Sequence, residues 1–169
     1  MSSFTAREFR DALSTFANGV SIVTARDGDG DPVGMTASSF TSVSMDPPLI
    51  LWCPSKTALS AQAFYDAEHF AVHVLSTDQA DLSNRFATTG TDKFAGLEWS
   101  GDAQGVPKLA EALARFECVQ HAVYEGGDHW VILGEVTRFE HASGQGLIHV
   151  GGGYASASPL KPNSRDATE

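Results

Sequence analysis

Residues 34–40 read Gly34-Met35-Thr36-Ala37-Ser38-Ser39-Phe40, and Ser42, Ser44 and the turn Asp46-Pro47-Pro48 follow before the apolar run Leu49-Ile50-Leu51. Alternate residues of an extended chain face opposite ways, so this row of small hydroxyls sits on a strand-turn-strand frame. Hydroxyls and free backbone N–H groups can hold phosphate or polyol oxygens, while Met35 and Phe40 offer apolar surface to a ring. The same composition describes a Ser/Thr-rich edge strand with a Pro-Pro turn, and the segment alone leaves both readings open.

Several other chemistries are excluded by their missing motifs. G-x-G-x-x-G after a strand and G-x-x-x-x-G-K-[ST] are absent, which argues against a Rossmann or P-loop nucleotide site; G-x-S-x-G and H-E-x-x-H are absent too. Asp27, Asp29 and Asp31 imitate the opening of a calcium loop, but the twelfth position is Ser38 where glutamate is required, so a solvated hairpin turn is the better reading. His69 and His73 share one strand face without a third ligand at metal spacing, and are expected to be surface or rim histidines.

The elements that must position these residues follow from periodicity. Phe9, Leu13 and Phe16 predict an amphipathic helix over residues 5–17, stopped by Asn18-Gly19. Strands are expected at 20–25, 33–45 and 49–53 as a meander, then a helix over 57–67, a strand over 69–75 and a short helix from Thr77-Asp78 through Phe86. Residues 92–108 read as a Gly- and Asp-rich loop. Two long strands, 115–124 and 130–140, flank the hairpin signal Glu125-Gly126-Gly127-Asp128-His129, and a last strand covers 147–150. Many strands with few short helices predict a mainly β fold, an antiparallel barrel with peripheral helices.

The 169 residues suit one domain over 1–155, with 156–169 expected to be a flexible tail. A hydrophobic share of 42% against 19% charged is globular, and a net charge of −10 argues against nucleic-acid binding through phosphates. No apolar run reaches membrane-spanning length and no signal sequence opens the chain, so no membrane partner is expected. Cys53 and Cys118 fit neither a C-x-x-C nor a zinc spacing, which points to the reducing cytoplasm.

In combination the segments resemble the flavin reductase family with the FMN-binding split-barrel fold, the reductase partners of two-component flavin monooxygenases. The resemblance runs over residues 5–155: Phe16-x-x-Gly19-Val20 with Val23-Thr24, the run Met35 to Phe40, Pro47-Pro48-Leu49, Phe70-x-Val72-x-Val74-Leu75, Asp92-Lys93-Phe94, Gly127-Asp128-His129 and Gly134-Glu135-Val136. It implies FMN or FAD bound by Met35, Thr36, Ala37, Ser38 and Ser39, by the phosphate turn Cys53, Ser55, Lys56 and Thr57, and by Arg85 and Phe86. A helix expected to begin near Thr57 would add free N–H groups and its dipole to the Lys56 charge.

The resemblance also implies NADH or NADPH held by Asp128, His129 and Tyr154, with His129 positioning the nicotinamide and no acid or base required. It implies no metal, a homodimer with the cofactor groove at its two-fold contact, and a transient monooxygenase partner. Trp52, Trp99 and Trp130 are expected to help fill that contact. Two alternatives stay open: a tight flavoprotein reducing a quinone or a metal complex, and a flavin-binding module without turnover.

Overall fold

The computed structural model describes residues 3–158. Helix α1 (Ala6–Ser14) begins where Thr5 and Glu8 cap each other: the Glu8 N–H donates to Thr5 Oγ1 at 3.2 Å and the Thr5 N–H to the Glu8 carboxylate at 2.7 Å. The helix is shorter than expected and none of its residues is buried; Phe9 and Leu13 are more than half exposed, as is Phe16 beyond it.

After β1 (Asn18–Gly19) come β2 (Ser21–Arg26), β3 (Pro32–Ala37), β4 (Thr41–Met45) and β5 (Pro48–Trp52). Helix α2 (Ala61–Asp66), strand β6 (His69–Val74) and helix α3 (Ala80–Ala87) follow. The second half holds the short pair β7 (Trp99–Gly101) and β8 (Pro107–Leu109), and the long hairpin β9 (Ala114–Gly126) and β10 (His129–His141). Strands β11 (Leu147–Val150) and β12 (Gly153–Ser156) come last. The tail expected from residue 156 thus starts inside a strand, and its part beyond residue 158 lies outside the described residues.

Seven strands form one antiparallel sheet in the order β3-β2-β6-β9-β10-β5-β4. Strands β3 and β4 lie at opposite edges, yet only residues 38–40 separate them. Such a crossing spans at most about 14 Å, whereas seven flat strands would hold their edges about 29 Å apart. The sheet must therefore curl until its edges approach, which makes a barrel split along one side. This corrects the expected meander: residues 33–45 are two strands pairing with different neighbours, β3 with β2 and β4 with β5.

Curvature has a second local source in β10, whose pairing with β9 shifts between Leu133 and Gly134 and again between Val136 and Arg138. At Gly134 a Cβ would stand 2.4 Å from the Phe70 ring and 3.0 Å from the Cys118 Cβ, so only glycine lets the bulged strand press onto the core. That core joins Trp52, Phe64 and Phe70 to Val23, Val72 and Ile132, with Trp52 edge-on to Phe64 at 4.8 Å. Trp52 is fully buried and therefore takes no part in a contact with another chain. A second cluster packs Ile22, Leu75, Phe86, Phe94 and Leu109 beneath α3 and β8.

The segment expected to be a loop over 92–108 contains the β7–β8 pair, which anchors to the barrel through two buried polar residues. Thr24 Oγ1 donates to the Pro107 carbonyl at 2.6 Å. His73 is fully buried, contrary to its expected place on the surface, because β8 covers it. Its Nε2 accepts from the Leu109 N–H at 3.2 Å, so the proton sits on Nδ1, which donates to the Ile22 carbonyl at 3.2 Å. Burial lowers its pKa to about 4, assisted by the Arg115 charge and opposed by the Ile22 hydrogen bond.

A folded-state pKa below the unfolded value means that the unfolded chain binds the proton first, so stability rises with pH. The contribution is complete above the unfolded value of 6.5 and is lost as the pH falls toward 4. Urea unfolding should show about 2 kcal/mol less stability from this group at pH 5 than at pH 7. In His73→Gln that difference should disappear.

Candidate active site

Edge strand β3, the turn over residues 57–60 and the loop after α3 surround a cavity of about 460 Å³, a size that suits a cofactor. Gly34, Met35 and Thr36 form its floor. Gly34 is present for close approach, since a Cβ there would lie 2.5 Å from Phe86 Cε1 and 3.3 Å from Phe94 Cζ. Met35 is half-buried against the barrel core, and Phe86, fully buried and edge-on to Phe94 at 5.2 Å, closes the apolar side.

The candidate residues fall into three places. Met35, Thr36, Thr57 and Phe86 line this cavity. Ala37 at the end of β3, Ser38 and Ser39 in the crossing, and Cys53 just after β5 do not line it: the Ala37 carbonyl accepts from Ser21 Oγ at 3.0 Å, and Ser39 Oγ accepts from the Cys53 N–H at 2.9 Å. Burial pushes the half-buried Cys53 thiol up, so it stays protonated. Ser38 is exposed. Arg85 donates to the Ala95 carbonyl and braces the loop from outside. Thr36 Oγ1 is committed as well, donating to the Ser83 carbonyl of α3 at 2.6 Å.

The third place is the turn over residues 55–57 and the β9–β10 hairpin that lies against it. No helix begins at Thr57; α2 starts at Ala61, and successive turns fill the interval, with the Ala58 N–H donating to Ser55 O at 3.1 Å. The Ser55 and Thr57 hydroxyls bond each other at 2.9 Å, a local alternative that competes with helix start. The dipole expected at Thr57 is therefore missing. Ser55 instead bridges to His129, the Lys56 N–H donates to the Asp128 carbonyl at 2.9 Å, and the Trp130 N–H donates to Pro54 O at 3.0 Å. The Lys56 ammonium pairs with Glu125 and lies 4.2 Å from the centroid of the Trp130 ring.

His129 Nδ1 bonds the Asp128 carboxylate at 2.8 Å. That hydrogen bond, and then the histidine's charge, holds the Asp128 carboxyl below its ordinary range. Tyr154 is elsewhere: its hydroxyl lies 2.7 Å from Ser83 Oγ and donates to Asn84 Oδ1 at 3.1 Å, which clasps α3 from β12.

One residue was missed among the candidates. Lys93 lines the cavity and donates to the carbonyls of Gly34 at 3.1 Å and Phe86 at 2.7 Å. Among the described residues it makes no ion pair, and burial pulls its pKa down, which marks an ammonium short of compensation. Two of its three donors are used, leaving one for an anion. Its signal was the Asp92-Lys93-Phe94 motif, legible as a loop but not as a cation delivered to β3.

Comparison with known proteins points the same way. The flavin reductase like domain matches residues 13–158. The chain is 48% identical over 153 residues to FMN reductase (NADH) SmoA of Agrobacterium fabrum, covering 90% of this chain and 87% of the relative. It is 44% identical to the stachydrine N-demethylase reductase subunit Stc3 of Rhizobium meliloti, covering 97% and 72%. The NADH:FAD oxidoreductase SgcE6 of Streptomyces globisporus, solved with NAD and FAD fragments, superposes with a TM-score of 0.83 at 36% identity, covering 94% of each chain.

Gly34→Ala should strain the cavity floor, since the Phe86 ring that would have to move is locked against Phe94. Urea unfolding should show a loss of about 1 to 3 kcal/mol. Gly19→Ala, with open space around its Cβ, should stay within about 0.5 kcal/mol of the parent.

Proposed function

The chain belongs to the flavin reductase-like domain family, and from that membership we propose that it is an NAD(P)H:flavin oxidoreductase that supplies reduced flavin to a partner monooxygenase. The observation that carries this reading is the cavity itself, where an apolar floor and an unpaired ammonium meet beside hydroxyls of the 57–60 turn. The residues suit a flavin: Met35, backed by the buried Phe86, gives surface to a ring system, and Lys93 gives a donor to a phosphate. The relative named as an NADH-dependent FMN reductase supports NADH as donor and FMN as acceptor.

A bound flavin supplies the hydride-accepting chemistry, so the protein needs no triad or metal. What the chain's own residues contribute is binding and orientation. Met35 and Thr36 fix the floor through β3; Phe86 and Lys93 close the wall; His129, oriented by Asp128, presents a ring nitrogen at the hairpin to the nicotinamide donor. Tyr154 supports this site through α3.

We also propose a homodimer. In support, α1 presents Phe9 and Leu13 uncovered with Phe16 just beyond it, and Met45 on edge strand β4 and Phe139 on β10 are 89% and 62% exposed. Surface of this kind marks a contact between proteins. Two free cysteines, with no helix among the described residues long and apolar enough to cross a membrane, support our reading of a cytoplasmic protein. We read residues 1–155 as one domain, which the extent of the family match supports.

The protein should oxidise NADH only when FMN or FAD is added or already bound. Lys93→Met should weaken flavin binding, measured by quenching of flavin fluorescence, by about tenfold to a hundredfold, the value of one charge-assisted hydrogen bond. Failure of both flavins to bind at micromolar concentration would sink the assignment.

Light scattering should give about twice the 17.9 kDa chain mass. Phe9→Ser combined with Leu13→Ser should shift the mass toward that of one chain. A parent protein of single-chain mass that binds flavin normally would refute the dimer.

A further inference from the structure

The tip of the β9–β10 hairpin is the turn Gly127-Asp128, with Gly127 at φ 75°, between Glu125-Gly126 at the end of β9 and His129 at the start of β10. Gly126 is held in the ladder opposite His129, whereas a Cβ at Gly127 would meet nothing within 4 Å, so the turn itself is free to move and a residue that works from it needs an outside tether. Lys56 provides one on both sides of the glycines. Its ammonium grips the Glu125 carboxylate before them, and its backbone N–H donates to the Asp128 carbonyl after them. Its stem is covered, with the side chain 26% exposed, and the ammonium rests on the Trp130 ring. The neighbouring Ser55 bridges directly to His129.

Lys56 does not line the cavity, where Lys93 already supplies the cation. Resting on the reading of the chain as a flavin reductase, we propose that Lys56 is a positioning residue of the hydride-donor site and not a ligand of the flavin phosphate. It clamps the hairpin tip so that Asp128 and His129 are held toward the nicotinamide. Glu125 is the other jaw of the clamp.

The test uses the full chain and the variants Lys56→Met and Lys56→Arg, alone and in a His129→Ala background. Lys56→Met keeps the stem and removes the charge. It should raise the KM for NADH about fivefold to tenfold with kcat nearly unchanged, while the flavin Kd from fluorescence quenching moves less than about twofold. Amide exchange over residues 125–130 should quicken while that of 34–36 stays as it was. Lys56→Arg, which still pairs with Glu125 and stacks on Trp130, should recover most of the KM. Without His129, Lys56→Met should add nothing further. A tenfold or greater loss of flavin affinity in Lys56→Met would make Lys56 a phosphate ligand and overturn the proposal, as would an unchanged KM. If the parent protein shows no flavin-dependent NADH oxidation, the assigned function falls and this role with it; an active parent with a normal KM in Lys56→Met overturns this role alone.

Discussion

The short crossing over residues 38–40 governs the shape of the molecule. With so little chain between them, β3 and β4 can occupy opposite edges of a seven-stranded sheet only if the sheet is rolled. Rolling leaves β3 with β2 on one side and no strand on the other, so α3 and the following loop can reach its free side through Thr36, Gly34 and Lys93. A plain meander would have covered that side with β4 and filled the space that is now a cavity. Ser39 secures the arrangement, its hydroxyl serving the Cys53 N–H as a ladder partner would.

Polar groups around the cavity are largely spent on the protein itself. Thr36 is bonded to α3, Ser39 to β5's end, and Ser55 to Thr57, in keeping with the cost of leaving half-buried donors and acceptors unmade. In a chain carrying a net charge of −10, Lys93 brings an ammonium to the cavity lining without a carboxylate partner among the described residues. The two lysines near the site thus have opposite surroundings: Lys56 is neutralised at the hairpin and Lys93 is held between two carbonyls.

The parts legible in the sequence are those set by local pattern. Alternation in β2 and β6 and the Gly-Gly signal at residues 126 and 127 each translate directly into an element. What escaped reading depends on neighbours distant in sequence. The 33–45 run alternates like a single strand, and nothing within it reveals that its halves have different partners. His73 looks like His69 because both lie on one face; burial of the former comes from β8, a three-residue strand too short to leave a pattern. Lys93 sits in a Gly- and Asp-rich stretch, and its role exists only because that stretch folds back on Gly34. The turn over residues 55–57 is legible as a turn, but the helix after it begins four residues later than expected because the Ser55–Thr57 pairing satisfies the chain without one.

Tyr154 reaches back over 71 residues to Ser83, and β1 finds its partner in β11 at Asn18 and His149. Contacts of that separation form late, because long loops must close before anything rewards their closure. A chain leaving the ribosome therefore exposes all the cavity-lining residues, 32–94, before α3 gains its clasp and β1 its ladder. Closure of the cavity wall is for that reason timed by the arrival of β11 and β12 and not by the residues that line it.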